Sequence, residues 1–407
     1  MKIFLLLLKL FFTGSAFLFN ILIIKYLGNE SAGQYYYIIS IVNLFGVVCV
    51  FGFNTQYIKV YARRYTSSVS LADYTAKTMI IVLVNTLIVL LCYSAFNDWV
   101  PYDILLLATL LYSFLSITTA ALQGGGFQKL SMILFGGGLQ TILLIYIFLF
   151  DVSTYEQLIS AYIFVIFLFN IVTIYPIVSL IKSNTCFNRV NFKSLYETSF
   201  SIFVSQSINQ FIIQSGVIFV EWLVDLDSVA IYSILFKLSL FFSHVFMVLN
   251  RIVTPKLAVL DPEQSPYEVQ NIIQDSNRLI YFITFSMIVA FVFFADNALL
   301  LYGEEYLEFK NVLYILILVQ LIKVICGPAS QMLQMTDNEK IFRNISIISI
   351  IIVISLNLVL TEAYGVLGAA LSFGVGMIFS SVYSSFYIYR KFSIKTFGVS
   401  FAKRYIY

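Results

Sequence analysis

The sequence predicts an all-α polytopic membrane protein with about twelve transmembrane helices in two six-helix lobes. Of its 407 residues, 60% are hydrophobic and only 11% are charged, against roughly a quarter charged in an ordinary soluble domain. Apolar runs of about 20 residues, the length that a helix needs to cross a ~30 Å hydrocarbon core, recur along the chain. These runs lack the two-residue alternation of a transmembrane β-barrel, so helices are the predicted spanning elements.

Twelve apolar windows define the predicted spans. They lie at 3–24, 34–55, 78–97, 102–122, 130–150, 157–181, 199–220, 229–252, 279–300, 311–334, 343–361 and 366–389. The first window resembles a signal peptide that ends near Gly14, but Lys9 interrupts its apolar centre and the apolar character continues to Ile24. We therefore predict an uncleaved first span.

The distribution of Lys and Arg predicts the orientation. With the N-terminus in the cytoplasm, the cytoplasmic segments carry 19 of these residues and the opposite loops carry only Lys25 and Lys310. Basic residues concentrate in the cytoplasmic loops of membrane proteins, so both termini are predicted to be cytoplasmic. The external loops are short, and the longer connections at 182–198 and 253–278 are cytoplasmic. The spans themselves must therefore carry the function.

The chain also shows signs of an internal repeat. The segment LQGGGFQK at 122–129 ends the fourth span, and LQMTDNEK at 333–340 ends the tenth. After the first and seventh spans, three residues match at a constant offset of 197: Glu30, Gly33 and Tyr35 with Asp227, Ala230 and Tyr232. Two halves of equal topology, at 1–190 and 191–407, are the parallel-repeat arrangement of many secondary transporters.

Three cations lie inside apolar spans, namely Lys9, Lys237 and Lys323, and no acidic residue has an equally deep position. A buried cation in a membrane costs a few kcal/mol, normally faces the bundle interior and marks a pathway. Lys9 lies about 9 Å from its helix end and is equally explained by extension of its side chain to the interface. Lys323 lies about 18 Å into its span, too deep for that explanation.

The eighth span carries a cationic stripe. Lys237, His244 and Arg251 are spaced seven residues apart, and seven residues drift only about 20° around a straight helix. His244, the only histidine of the chain, is either a neutral group hydrogen-bonded to a neighbouring helix or a proton-coupling group. Arg251 is either a boundary anchor or part of the substrate path.

Amide side chains form the other candidate binding surface. The seventh span carries Gln206, Asn209, Gln210 and Gln214, and the first two spans carry Asn20 and Asn43. Hydrogen bonds between helices are the usual role of such residues in membrane bundles. Four amides on one helix exceed what packing requires, so we favour an aqueous cavity that offers amides to sugar hydroxyls.

Several other chemistries find no support in the sequence. The four cysteines have no metal-ligand spacing, and no metal site, cofactor or disulfide is expected. The glycine runs at 124–126 and 136–138 lack the GK[ST] of a phosphate-binding loop, so ATP is not the expected energy source. No basic, nucleic-acid-binding region is present, and we do not expect an enzyme.

Three segments give the chain a family resemblance. KYLGNESAGQYYYIIS at 25–40 resembles the LG-x4-G-x-Y signature of bacterial polysaccharide-lipid flippases, the O-antigen (Wzx-type) branch of the multidrug/oligosaccharidyl-lipid/polysaccharide (MOP) exporter superfamily. LLLYGEEYLEFKNVLYIL at 299–316 resembles its L-x-G-x-x-Y stretch, and TEAYGVLGAALS at 361–372 its Y-G-x-x-G-A-A motif. The seventh span differs from the family: it ends Val220-Glu221-Trp222, where relatives often carry an Asp slightly earlier.

The resemblance implies a function in O-antigen and lipopolysaccharide biosynthesis. A transporter of this family moves an undecaprenyl-diphosphate-linked oligosaccharide from the cytoplasmic to the periplasmic leaflet of the bacterial inner membrane. It implies alternating access driven by an H⁺ or Na⁺ gradient, for which His244 and Glu221 are the candidate coupling groups. The implied partners are the lipid-linked substrate, membrane lipid, a polysaccharide polymerase and a chain-length regulator.

Three rival functions fit the sequence less well. A multidrug/ion antiporter of the MATE type is expected to bury carboxylates, whereas this chain buries cations. A membrane polymerase or ligase is expected to have a long periplasmic loop with catalytic Arg or His, and here the external loops are short. A major-facilitator exporter is expected to carry a G-x3-D-R/K loop, which is absent from residues 52–65. The MATE-like antiporter remains the principal alternative.

Overall fold

The computed structural model describes residues 2–62, 70–94, 102–182, 191–257, 265–335 and 338–398, and within these ranges the regular structure is helical throughout. The α-helices in chain order are α1 (Lys2–Val50), α2 (Phe53–Ala62), α3 (Leu71–Ser94), α4 (Tyr102–Gly124), α5 (Gln128–Gly136), α6 (Gly138–Leu149), α7 (Tyr155–Lys182), α8 (Phe192–Leu223), α9 (Leu226–Leu257), α10 (Pro266–Leu300), α11 (Lys310–Ile325), α12 (Ala329–Met335), α13 (Glu339–Leu356), α14 (Glu362–Tyr364) and α15 (Val366–Phe392).

Among the described residues, nine helices are long and apolar enough to cross a membrane, or ten if the bent pair α5–α6 is one span. The twelve predicted spans are recovered once two further breaks are considered. α1 has 49 residues, about 74 Å at 1.5 Å per residue, which is more than twice the hydrocarbon thickness. Its backbone leaves the helical conformation at Gly28, with φ 74° and ψ 175°, so α1 contains two spans.

The second break separates α11 from α12. α11 has 16 residues, fewer than a bilayer crossing needs, and only α11 and α12 together cover the predicted span 311–334. Gly327, at φ 69°, lies between them. A chain that breaks its helix inside a membrane must satisfy the freed backbone groups within the protein.

Three helices begin well before their predicted spans. α3 begins at Leu71 instead of 78, α8 at Phe192 instead of 199, and α10 at Pro266 instead of 279. The added turns are polar, and Lys77, which precedes the predicted third span, lies inside α3 with its Nζ 2.8 Å from Asp73 Oδ2. Apolar windows report only the part of a helix that lies in lipid, so polar helical extensions beyond the membrane escape them.

The chain divides into two compact units, residues 1–214 and 215–407, and the division lies within α8. In the first unit, α4 packs against α1, α2, α3 and α7. In the second unit, α9 packs against α10 and α11, and α15 packs against α11 and α13. α7 exposes large apolar side chains along its length, including Phe164, Ile174 and Tyr175, as expected of a lipid-facing helix.

Candidate functional site

In the first unit, the amides of α8 lie in different surroundings. Gln206 Nε2 donates a hydrogen bond to Thr55 Oγ1 of α2 at 3.0 Å, while its Oε1 is buried without a hydrogen-bond partner among the described residues. Gln210 and Gln214 are half-buried, and Asn209 is exposed. Residues 206, 210 and 214 are spaced four apart and therefore follow one face of α8. The helix thus presents a polar stripe with unused hydrogen-bonding capacity.

The first part of α8 is held against α1 and α2 by an aromatic cluster. The ring of Phe51 stacks on Phe203 with centroids 4.2 Å apart, and Tyr196 approaches Phe51 edge-on at 5.1 Å. Phe51 has a left-handed backbone at φ 52°, and Gly52 follows at φ 75°. A Cβ on Gly52 would lie 3.0 Å from the backbone of Ser199 and Phe203. The bend after α1 therefore contacts the first part of α8 closely, one turn before Gln206.

The other two amides of this unit differ from one another. Asn20 is buried, and its Oδ1 accepts a hydrogen bond from Tyr36 Oη at 2.9 Å across the two spans of α1. This contact is of the interhelical type. Asn43 is half-buried on the second span. A substrate contact by either residue stays a prediction.

In the second unit, both predicted mid-membrane cations are half-buried. Lys237 lies eleven residues into α9, about 16 Å from the start of that helix. Lys323 lies thirteen residues into α11, about 20 Å from its start. α9 and α11 pack against one another. No acidic residue that the structure describes lies at a comparable depth in any span. The described charged side chains near mid-membrane are therefore cationic.

Two polar residues on the same helices as these lysines were not among the predicted site residues. Gln320, one turn before Lys323, is 1% exposed, and its Oε1 has no hydrogen-bond partner in the described part of the chain. Ser233 Oγ, one turn before Lys237, is likewise buried without one. The sequence could have indicated both residues, because Ser233 lies four residues before Lys237 and Gln320 three residues before Lys323. Nearby packing is tight: a Cβ on Gly374 of α15 would lie 2.8 Å from Val319.

Three further candidates can be placed only by their helices. His244 and Arg251 lie on α9, which is continuous from Leu226 to Leu257, so the seven-residue stripe with Lys237 keeps its register. Lys9 lies on the first span of α1. The side chains of these three residues are outside the described part of the structure. Glu221 is half-buried two residues before the end of α8, near the predicted outer surface and away from mid-membrane.

Two apolar grooves lie beside α7. One, of about 460 Å³, is lined by α6 and α7, with Tyr146, Phe150 and Phe164 on its walls. The other, of about 340 Å³, is lined by α3, α4 and α7. Neither groove has a charged residue on its walls, so neither fits an ionic headgroup.

The cysteines show no metal or disulfide arrangement where their side chains are described. Cys49 and Cys326 are buried and free. Within the described residues, no three His, Cys, Asp or Glu side chains lie together as metal ligands would. Cys186 and the side chain of Cys92 lie outside the described part.

Of the comparisons with known proteins, only the comparison with solved structures finds similar proteins, and it identifies the fold. No protein-family model and no curated protein sequence matches the chain. Among solved structures, the chain is similar to the lipid II flippase MurJ in an inward closed conformation, with a TM-score of 0.72 and 17% identity over 95% of this chain and 87% of that chain. It is also similar to a multidrug resistance MATE family transporter of the MOP superfamily in its inward-facing conformation, with a TM-score of 0.70 and 14% identity over 94% of both chains.

A third neighbour is a MOP superfamily transporter from Pyrococcus furiosus Vc1, for which reverse polarity of the binding pocket suggests a different function. The TM-score is 0.63 at 13% identity, over 96% of this chain and 95% of that chain. Together these similarities show that the chain has the MOP-superfamily fold, with twelve transmembrane helices.

Proposed function

We propose that this protein is an alternating-access transporter of the Wzx type, which moves a polyprenyl-diphosphate-linked O-antigen repeat unit from the cytoplasmic to the periplasmic leaflet. The observation that carries the proposal is the sign of the charge inside the membrane. Lys237 and Lys323 lie about 16 and 20 Å along their helices, and no described acidic residue shares that depth.

The charge sign matters because the headgroup is anionic. Two negative charges cannot cross a ~30 Å hydrocarbon core unaided, since a buried unpaired charge costs many kcal/mol. A Lys ammonium suits a moving phosphate because it is a point charge on a flexible stem and needs no fixed geometry. Arg251, at the predicted cytoplasmic end of the stripe, is proposed to make the first contact, and Lys237 to hold the headgroup during transport. Lys9 is a further candidate on the first span.

The amides are proposed to bind the sugars. Gln206 has a buried Oε1 without a hydrogen-bond partner among the described residues, and Asn209 is exposed at mid-span. An exposed amide in contact with lipid would be costly, so its exposure supports contact with water. Gln210 and Gln214, Asn20 and Asn43 complete the proposed set of hydrogen-bonding groups. Amides donate and accept hydrogen bonds and therefore suit sugar hydroxyls.

An H⁺ or Na⁺ gradient is proposed to drive the cycle. His244 is suited to proton coupling because its ordinary pKa lies near neutrality. Glu221 is the second candidate, although its place near the end of α8 favours a role close to the membrane surface. The proposed location is the bacterial inner membrane with both termini in the cytoplasm, beside a polysaccharide polymerase and a chain-length regulator.

The alternative is a MATE-like multidrug or small-molecule antiporter, which is favoured by the structural similarity to a multidrug resistance MATE family transporter. The two functions differ in the charge of the transported species. A cationic drug would be repelled by Lys237 and Lys323, whereas a diphosphate would be attracted. The reversed pocket polarity described for the Pyrococcus furiosus transporter is a precedent for such variation within the fold.

Deletion of the gene tests the proposal directly. Loss of the flippase should leave undecaprenyl-linked repeat units on the cytoplasmic side, where lipid extraction and mass spectrometry detect their accumulation. Surface polysaccharide should disappear and return when the gene is supplied on a plasmid. Normal surface polysaccharide in the deletion strain, together with increased sensitivity to cationic drugs, would favour the antiporter.

A further inference from the structure

A short non-helical segment follows α15 and packs within the second unit. Ser393 follows α15 with a left-handed backbone at φ 57°, and the chain then continues without helix to a bend at Phe397 and Gly398. Its side chains alternate: Ile394 and Thr396 are fully buried, while Lys395 and Phe397 are exposed. We call residues 393–398 the strap.

Among the described residues, four side-chain hydrogen bonds hold the strap on α10 and α15, and one of them runs from Asn277 Nδ2 to Gly398 O at 3.4 Å. Asn277 of α10, itself fully buried, donates from Nδ2 to Thr396 O at 2.7 Å. The hydroxyls of Ser385 of α15 and Thr396 lie 2.6 Å apart. The backbone N–H of Lys395 donates to Gln270 Oε1 of α10 at 3.1 Å. Ile394 packs into an apolar cluster with residues of α10, α12, α13 and α15.

The strap also fills the break between α11 and α12. A Cβ on Gly327 would lie only 2.4 Å from Thr396 O, so the strap backbone touches the break where no side chain fits. Beside the break, Tyr281 Oη of α10 donates to Ile325 O, the carbonyl of the last residue of α11, at 2.7 Å. Lys323 lies four residues before Gly327, about 6 Å along the helix. The strap therefore abuts the point where the helix that carries Lys323 can bend.

We propose that the strap is a releasable latch that locks the α11–α12 break, and that its departure lets the end of α11 with Lys323 move. Gly327, at positive φ, interrupts the helix between α11 and α12, and such an interruption is a point at which a helix can bend. The strap backbone touches this point, while the strap residues Lys395 and Phe397 face outward. The effect of strap release on transport rests on the proposed function, whereas the release of the strap from the α11–α12 break does not.

Thiol labelling tests the exchange without any assumption about transport. In a protein whose four cysteines are replaced by Ala, Thr396→Cys should react with a maleimide in native membranes at least tenfold faster than Ser349→Cys. Both positions are fully buried, but Ser349 lies within α13. Gly327→Ala should accelerate labelling of Thr396→Cys further, because its Cβ displaces the strap. Gly365→Ala is the matched control, since Gly365 also has a positive φ but no atom within 4 Å of its added Cβ. Equal, slow reaction of Thr396→Cys and Ser349→Cys would overturn the proposal.

A disulfide tests the lock. Ser385→Cys with Thr396→Cys in the same background should oxidise readily, because the native hydroxyls are 2.6 Å apart and a disulfide requires such proximity. Counting the remaining free thiols measures its formation. The oxidised protein should lose at least tenfold in surface-polysaccharide export and recover on reduction, while oxidised Thr396→Cys alone should be unaffected. Full export by the oxidised pair would show that the strap is a fixed element and refute the latch. If the reduced pair exports no polysaccharide, the proposed function is in question and the labelling result alone decides the latch.

Discussion

At the scale of single residues, the two mid-span lysines, Lys237 and Lys323, could be predicted from the sequence more readily than the roles of the amide side chains. The lysines could be selected from the sequence because a cation in a span is rare and costs about 3 kcal/mol on insertion scales. Amides are common in membrane bundles, and their roles depend on neighbours. The Oδ1 of Asn20 accepts a hydrogen bond from Tyr36 Oη, whereas the buried Oε1 of Gln206 has no hydrogen-bond partner among the described residues.

Substitution of Lys237 distinguishes a charge carrier from a structural lysine. Lys237→Ala should reduce surface polysaccharide about tenfold or more, the loss expected when one charge-assisted contact is removed. Lys237→Arg should retain part of the function because the charge remains and only its shape changes. Polysaccharide on immunoblots, normalised to the amount of protein in the membrane, measures both.

The matched control is Lys25→Ala, since Lys25 is exposed on a predicted outer segment. It should export normally. A structural lysine would give the opposite pattern, because removal of a buried charge eases membrane insertion. Full complementation of the deletion by Lys237→Leu would therefore eliminate the charge-carrier role.

At the scale of elements, the motifs that carry the family resemblance are turns and close contacts. In the first motif, Gly28 breaks α1 and Tyr35 packs edge-on against Phe19 with centroids 6.0 Å apart. In the second, Gly303 turns the chain at φ 149° and Tyr306 is fully buried. These residues specify how consecutive spans connect. They therefore report the fold and say little about the substrate.

The third motif gives a stability prediction. A Cβ on Gly368 of α15 would lie 1.8 Å from the carbonyl oxygen of Leu360, in the π-helical turn Asn357–Thr361. Gly368→Ala should destabilise the protein by about 1–3 kcal/mol, because the backbone must shift to admit it. Thermal unfolding in detergent, followed by fluorescence-detected gel filtration, measures the change.

Gly14→Ala is the control for that experiment. Its added Cβ meets no atom within 4 Å, and alanine in a helix is favoured over glycine by roughly 0.5–1 kcal/mol. The unfolding temperature of this variant should stay unchanged or rise. An equal fall in both variants would show that the contact at Gly368 is unimportant.

The docking of α8 gives a second element-scale prediction. Phe203→Ala removes the ring that stacks on Phe51 at 4.2 Å, and should cost about 1 kcal/mol from the aromatic pair in addition to lost apolar burial. The first half of α8 should then become more sensitive to limited proteolysis. Phe200→Ala is the matched control, because Phe200 is exposed and lies 6.3 Å from the Phe51 ring. Equal protease sensitivity of the two variants would contradict the proposed anchoring.

At the scale of the whole molecule, the helix breaks reconcile the number of spans with the number of uninterrupted helices. In the part of the chain that the structure describes, nine helices qualify as spans by length and apolar character. The bent pair α5–α6, the division of α1 at Gly28 and the pair α11–α12 supply the other three. Hydropathy detects membrane crossings whether or not the helix is kinked. Helix assignment follows the backbone and therefore detects the breaks.

The predicted topology can be tested with fusions. Alkaline phosphatase joined at 152–156 or 362–365 should be active, because these loops are predicted to be external from the 19-to-2 division of loop Lys and Arg. Fusions at 65, 190 or 265 should be inactive. Phosphatase activity relative to the amount of fusion protein provides the measurement. Strong activity at 190 would show that the predicted number of spans is wrong by one.

The sequence by itself determined the fold class, the span count and the position of Lys237 and Lys323 within apolar spans. These properties follow from transfer free energies, which are sums over residues and do not depend on which helix neighbours which. Only the tertiary structure decided that Asn20 bonds to Tyr36, that Gln206 meets Thr55 of α2, and that the strap closes the break at Gly327. Each of these is a contact between residues distant in the chain or set by a backbone turn. Local hydropathy carries no information about such pairs, because a polar side chain has the same transfer cost whichever partner it later finds.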